Sequence, residues 1–591
     1  MSSNPDAAAR PLALDSTLDS PENAMLGELD GGALLELTAA LSREERPSGS
    51  AAERRAMELA ADRLDAAGLA VRWFEHDAFV SLPGPARMWI LGRGEVASGD
   101  GEQVRCITHA MAAPVRTGRF PLVDGAADAD GPPAAISVAG KAVIVDGLAA
   151  PVPVRAWEAR GAAALVFVND DERHEMIASA VWGSPTVDDI AQLPSVPIVS
   201  VAAADGARLR DRLSRREVDV VIDAEVDTRW RTLPVLEATL DGPETGDDLV
   251  LLSGHVDSWH LGAMDNASAN AVMIAVSEAL GRRRRHLRRR LRVCFWSGHS
   301  HARYAGSAWY ADANWEALRD HAVAHVNVDS LGGVGANALA HATASDELRG
   351  LGAHAVRVGA GLPFVGSPPV RAGDQSFLGI GVPSLFMTLS EQPPSVGGVR
   401  PTGVVPASSG GLGWWWHTPE DTMERLDGRA LVRDARVYAA ALGRLVTEPV
   451  VPYEPTALLD AFGAALARAE RRWSVVSDAA LGARIAALRP GVQAIDASLA
   501  RARSSSLADP EADRRAIALG RALNPVLRTR SGPFGHDPAL PTPQLPDLLD
   551  PPGAGEAARD LVDGRHVDVA LRRGLNRTLA AIRTAEALAG G

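Results

Sequence analysis

An α/β fold, with a mostly parallel sheet covered by helices on both faces, is predicted for the central part of this 591-residue chain. Apolar runs and amphipathic stretches alternate from Leu236 to about Glu448. Leu249 to Leu252 is short, wholly apolar and reads as a buried strand, whereas Asn270 to Leu280 sets Val272, Ala275 and Ala279 on one helical face. Polar residues follow the apolar runs directly. His255 and Asp257 come after the first run, and His299, Ser300 and His301 after Val293-Cys294-Phe295-Trp296. Asp329 comes after His325 to Val328, and His417 after Trp414-Trp415-Trp416. Open α/β sheets bind their ligands at the carboxyl ends of strands, where these residues fall.

The other elements follow in order. Residues 1–25 are polar and read as a disordered tail. Residues 26–81 begin the α/β domain, with two amphipathic helices between Gly31 and Ala70; Gly68 ends the second, Ala51 to Ala67. Residues 82–235 change to short β-like runs separated by Gly, Pro and Asp, clearest at 141–146, 161–167 and 196–201. The α/β pattern resumes over 236–447. Residues 448–591 turn to Ala/Leu/Arg-rich helices, one ending near Asn524-Pro525. The Pro-rich stretch Pro533 to Pro552 follows, and a last helix runs from Val567 to Ala589.

This length requires two to four domains. A hydrophobic share of 46% with 23% charged residues is ordinary for a globular protein, and a net charge of −14 argues against general nucleic-acid binding. The one basic run, Arg282 to Arg292, reads as a solvated helix end and loop. No apolar stretch reaches bilayer length, and Met1 to Asn23 lacks the apolar centre of a signal peptide. Cys106 and Cys294 suggest neither a disulfide framework nor a thiolate zinc site. A cytoplasmic location without membrane contact is the resulting expectation.

His and Asp side chains converging from several strand ends are the usual protein supply for zinc. Singly, each is more often a cap or a surface residue. Together and in order, His255-Val-Asp-Ser-Trp, Gly262-Ala-Met-Asp-Asn, Asn327-Val-Asp-Ser and His417-Thr-Pro-Glu-Asp-Thr resemble the co-catalytic zinc aminopeptidases, nearest to the group of glutamate carboxypeptidase II and the transferrin receptor. Gly306-Ser307 and Gly381-Val-Pro-Ser384 also fit. The resemblance implies a zinc-peptidase-like catalytic domain, an inserted β-rich protease-associated domain at 82–235 and a C-terminal helical domain that forms a homodimer. It also implies one or two zinc ions, or another divalent transition metal. His255 and Asp329 would hold one ion, His301 and His417 the other, and Asp265 would bridge them. Asp257 would accept a hydrogen bond from the His255 ring.

One departure stands beside the match. Six and five residues before its Gly-Ser, the family carries two glutamates, a general base and a metal ligand; here Ser300 and His301 occupy those positions. His301 can still bind metal, but Ser300 is no carboxylate base. His299 is the nearest replacement proton carrier, and Ser300 would bind substrate or water. Arg303 and Tyr304 would contact an anionic or amide group, unless Arg303 pairs with a carboxylate such as Asp312. Asp374 and Gln375 fall in the family's substrate-side loop, and Trp259, Trp415 and Trp416 would wall a pocket. A metal-dependent hydrolase of a peptide or small amide is the leading expectation. The alternatives are a related metalloenzyme acting on a non-peptide substrate and a non-catalytic dimeric binding protein.

Overall fold

The computed structural model describes residues 21–91, 101–125, 137–371, 376–396, 398–400, 410–552 and 564–590. Among these residues twelve strands join in one sheet. The first eight are β1 (Ala70–Leu91), β2 (Glu102–Val104), β3 (Ile107–Thr108), β4 (Val115–Asp124), β5 (Ala142–Asp146), β6 (Ala164–Val168), β7 (Ile198–Val201) and β8 (Asp219–Leu240). They are followed by β9 (Leu249–His255), β10 (Arg290–Trp296), β11 (Ala322–Asn327) and β12 (Ser384–Leu385). The order across the sheet is β12-β11-β9-β10-β8-β4-β5-β6-β7-β3, with β1 and β2 off this path.

Each half of the sheet is mainly parallel, as the alternation predicts. The strands β12, β11, β9 and β10 run parallel in one half, and β4 to β7 do so in the other. An antiparallel ribbon of β1 and β8 joins the halves, with Ala70 opposite Thr239 and Leu91 opposite Asp219. One end of β8 pairs with β4 and the other with β10. Sequence explains this double use. Val220 to Ile222 and Leu233 to Ala238 are apolar-rich and buried, whereas Asp227, Arg229 and Arg231 between them are charged and reach solvent. The composition changes expected at 82 and 235 thus fall within β1 and β8, and the ribbon's one irregularity lies between Pro83 and Ala86.

Leu249, Val250, Leu251 and Leu252 are buried on both faces of β9, the pattern of a central parallel strand. Val272, Ile274, Leu431 and Leu442 pack with Val250 and Leu252 in the largest core. Each such side chain contributes roughly 1.5–3 kcal/mol relative to exposure. The helix Ala51–Ala66 begins where Ser50 Oγ accepts the Glu53 N–H at 3.1 Å. It ends at Gly68 (φ +84°), where the Leu69 N–H reaches the Leu64 carbonyl at 3.0 Å.

Three expectations change. Trp414–His417 is a turn rather than a strand, closed by a Trp416 N–H to Gly413 bond, because Trp415 and Trp416 fold back onto the core beneath β5 and β6. The helix Pro510–Arg528 runs through Pro525. The Arg521 carbonyl, which proline cannot satisfy, takes Arg319 Nη1 at 3.3 Å instead. The basic run is also less solvated than expected: Arg289 is buried and donates to the Leu445 and Glu448 carbonyls and to Asp513. The C-terminal region packs Pro455–Arg472, Leu481–Ser505, Pro510–Arg528 and Gly564–Ala589 around a core of its own. Among the described residues no helix is long and apolar enough to cross a membrane.

Candidate metal centre and active-site cleft

The parallel register sets Trp296 of β10 opposite His255 of β9, and Asn327 of β11 opposite Ser253. The loops leaving these three strands therefore meet at one edge of the sheet. His255 is the last residue of β9 and is buried. Its Nδ1 lies 2.8 Å from the Asp257 carbonyl oxygen, which only accepts, so Nδ1 carries the proton and the Nε2 lone pair points outward. Nε2 stands 3.1 Å from Asp265 Oδ1 and 3.6 Å from Asp329 Oδ2, yet makes no hydrogen bond. His417 repeats the arrangement from the other side. Its Nδ1 faces the Glu175 carbonyl at 2.6 Å, and its Nε2 lies 3.1 Å from Asp265 Oδ2. One carboxylate thus sits between two imidazoles whose lone pairs face it, a donor set that needs a cation on each side. The residues present fit divalent metal on that ground.

Local sequence builds this geometry. Asp265 lies in the turn Ala263–Ser268, entered through Gly262 at φ +51°, where an added Cβ would stand 2.3 Å from the Asp265 carbonyl. The Asp265–Asn266 peptide is cis. Asp421, in the His417 motif, accepts the N–H groups of Met264 and Asp265 at 2.8 and 3.0 Å and fixes the turn. Burial pushes the Asp421 carboxyl up to about 7, with the Asp265 charge adding to it. Arg46, fully buried, donates to the carbonyls of Val256, Leu261 and Gly262 and so holds the loop after β9. Burial would favour a neutral His255, but the surrounding carboxylates of Asp257, Asp265 and Asp329 push its pKa well above the usual value, the response of an imidazole set among anions.

Asp257 acts as an organiser. Its carboxylate accepts Ser48 Oγ–H at 2.7 Å, His299 N–H at 3.2 Å and Ser300 N–H at 2.7 Å. Being so committed, it stays 3.7 Å from His255 Nδ1, and the carbonyl of the same residue fixes that ring instead. Although burial opposes it, the neighbouring His255 and His301 rings hold the Asp257 carboxyl well below the carboxylate range. Ser300 is buried behind the cleft, its Oγ 3.5 Å from the Asp257 carbonyl. His301 Nδ1 lies 3.1 Å from Ser48 Oγ, and its ring packs at 4.2 Å against Trp259, which also borders His417 at 5.9 Å. The structure brings His255, Asp265, Asp329 and His417 together and sets His301 beside them, with no recorded contact to Asp265.

Asp265, Asp329, His417 and His299 open into one cavity, closed by Met176 and Ile177 from the β6–β7 connection and by Ala539 and Leu540 from the C-terminal region. Trp416 lines it and stacks on His417 at 3.4 Å. Arg303 and Tyr304 form its wall. Arg303 Nη2 donates to the Ile177 carbonyl at 3.0 Å, while its buried Nε has no partner. Among the described residues no carboxylate pairs with it, and Asp312 meets His536 instead, at 3.0 Å. Arg371, at the same cavity, is neutralised by Asp537. The expected substrate residues Asp374 and Gln375 lie outside the described residues. Sequence reasoning missed Ser48, Asp421 and Glu175 as supports. Asp421 stands inside the His417 motif singled out there, whereas Glu175, which acts through its carbonyl, leaves no side-chain signal.

Comparison with known proteins agrees on the fold. Residues 236–442 match the model of Peptidase family M28, and the architecture is that of the zinc aminopeptidases. A Peptidase M28 precursor from Shewanella amazonensis superposes with a TM-score of 0.55 at 18% identity, over 73% of this chain and 97% of that one. The aminopeptidase from Aneurinibacillus sp. strain AM-1 gives 0.52 at 18% identity, over 72% and 96%. In sequence, 122 residues are 32% identical to the probable glutamate carboxypeptidase LAMP1 of Arabidopsis thaliana, and 113 are 31% identical to the probable glutamate carboxypeptidase VP8 of Zea mays. Those matches take in 20% and 18% of this chain and only 18% and 16% of the plant proteins.

Proposed function

We propose that the protein is a metal-dependent hydrolase that cleaves a peptide or small amide bond. The observation that carries this is the Asp265 carboxylate held between the Nε2 atoms of His255 and His417. His255, Asp329 and Asp265 would hold one zinc, and Asp265 with His417, beside His301, a second. Zinc, when bound, polarises a carbonyl oxygen and lowers the pKa of water at neutral pH. The chain's own residues supply the rest. Asp257 and Ser48 fix the loop of His299 to His301, Trp416 and Met176 exclude water from the cleft, and Tyr304 sets the wall. Residues 82–235 are read as a protease-associated module, supported by Met176 and Ile177 reaching over the cleft. A homodimer through 448–591 belongs to the same reading, supported by the order of its helices.

The full-length protein should hydrolyse members of a panel of dipeptides and N-acyl amino acids, lose that activity on dialysis against a chelator and regain it with zinc. Hydrolysis indifferent to chelation, or no turnover by the zinc-loaded protein, would count against the assignment. Arg303 gives a finer expectation. A buried guanidinium without a carboxylate partner is costly unless a ligand brings the anion. Arg303→Gln should therefore raise KM for substrates with a free carboxylate by about 10–100-fold, the scale of a charged hydrogen bond. Matched carboxamides should change little, and an equal effect on both would exclude the anion-binding role.

A further inference from the structure

The sequence casts His299 as a proton carrier beside the metal residues. The geometry points to a different part: we propose that His299 is itself a metal ligand, forming with His255 and Asp329 a three-residue site for one divalent transition ion. This rests on the metal-centre reading above and assigns that centre its tighter half. The ligand atoms of His255, His299 and Asp329 all lie within 4.8 Å of one another, and among the described residues this is the one group of His, Cys, Asp or Glu that does so. Ligands at about 2.0–2.2 Å from zinc stand about 3–4 Å apart, so a closure of about an ångström completes the site.

The position of His299 is built. Gly298, at φ +79°, turns the chain after β10, and the His299 N–H is pinned to Asp257 Oδ1 at 3.2 Å. Its ring lies on the His255 ring, with centroids 4.0 Å apart and planes 11° apart. The Tyr304 ring borders it at 5.3 Å. Two imidazoles and a carboxylate with a further position open is the ligand count of catalytic sites. It favours zinc, copper, nickel or iron over magnesium, calcium or manganese. The two halves of the centre are then unequal. The His255 side has three ligands plus Asp265 Oδ1, whereas the His417 side has Asp265 Oδ2 and the His417 imidazole, with His301, its Nδ1 held at Ser48 Oγ, the further candidate. A ring nitrogen given to metal also cannot ferry a proton, so the ligand and carrier roles make opposite predictions.

The test is zinc titration of the full-length protein against a chromophoric chelator, with cobalt(II) absorption as a second signal. Wild type should show one tight and one weaker zinc. In His299→Ala the tight class should weaken by at least about 10–100-fold, since even outer-shell partners cost that much. The cobalt spectrum should change, and His299→Cys, which restores a ligand, should recover affinity. Tight binding and the cobalt spectrum unchanged in His299→Ala would overturn the proposal. Because a variant can misfold, X-ray absorption of wild type loaded with one equivalent of zinc provides the second measurement. Two imidazoles per zinc are expected, and one would overturn it. Zinc binding that depends on His299 without amide hydrolysis would count against the proposed activity alone.

Discussion

Asp265→Ala should abolish co-occupancy of the centre and lower amide hydrolysis on the order of 10³-fold. Both Asp265 oxygens are committed, Oδ1 toward His255 and Oδ2 toward His417, each at 3.1 Å. Removing them leaves two imidazoles without a shared anion and takes one negative charge from the site proposed to hold cations. The loss of Lewis-acid stabilisation is several kcal/mol, and each 1.36 kcal/mol is tenfold in rate. Metal analysis of the purified variant should give at most one zinc per chain. Two zincs retained, with the rate within tenfold of wild type, would show that Asp265 does not bridge.

Arg46→Ala should be the most damaging single change outside the centre. The guanidinium is buried and supplies donors to Val256, Leu261 and Gly262, while its own carbonyl accepts the Ser258 N–H at 2.9 Å. Burial lowers its pKa to about 10, and the surrounding charges of Asp421, Glu53, Asp257 and Asp265 oppose that fall. Truncation therefore strands buried carbonyls and removes the cation that offsets a cluster of acids, a loss of about 3–5 kcal/mol. A urea titration followed by tryptophan fluorescence should show the first transition moved to lower denaturant. Arg55→Ala, at an exposed pair with Glu44 in the following helix, should leave the curve in place. Coincident curves for wild type and Arg46→Ala would refute the role.

Much of this was legible in the sequence, for physical reasons. Buried parallel strands advertise themselves as unbroken apolar runs, so β9, β10 and β11 and the polar residues after them could be placed from composition. His255 and Asp329 could be singled out because their strands end at the same sheet edge, and Asp265 and His417 because their turns carry the motif residues beside it. The turn after β10 was the least legible part. Spacing from Gly306 singles out Ser300 and His301, but where a turn's side chains point is set by backbone torsions and by the bonds to Asp257. Those forces put His299, not His301, on the ring of His255. Trp414 to Trp416 looked like a strand because apolar runs are ambiguous, and tertiary packing made it a turn. Glu175 was invisible, since any residue supplies a carbonyl.

The β1–β8 ribbon has a mechanical consequence. Its two strands carry the floor of the cleft at one end and, at the other, the sheet from which Met176 and Ile177 descend. Roof and floor are therefore attached to the two ends of one hydrogen-bonded ladder. Winding or unwinding that ladder would move roof against floor, so its torsional stiffness, together with the bonds from His417 to the Glu175 carbonyl and from Arg303 to the Ile177 carbonyl, bears on the gape of the cleft. Substitutions at the exposed midsection around Trp230, far from any reacting atom, would then tune how wide a molecule can enter.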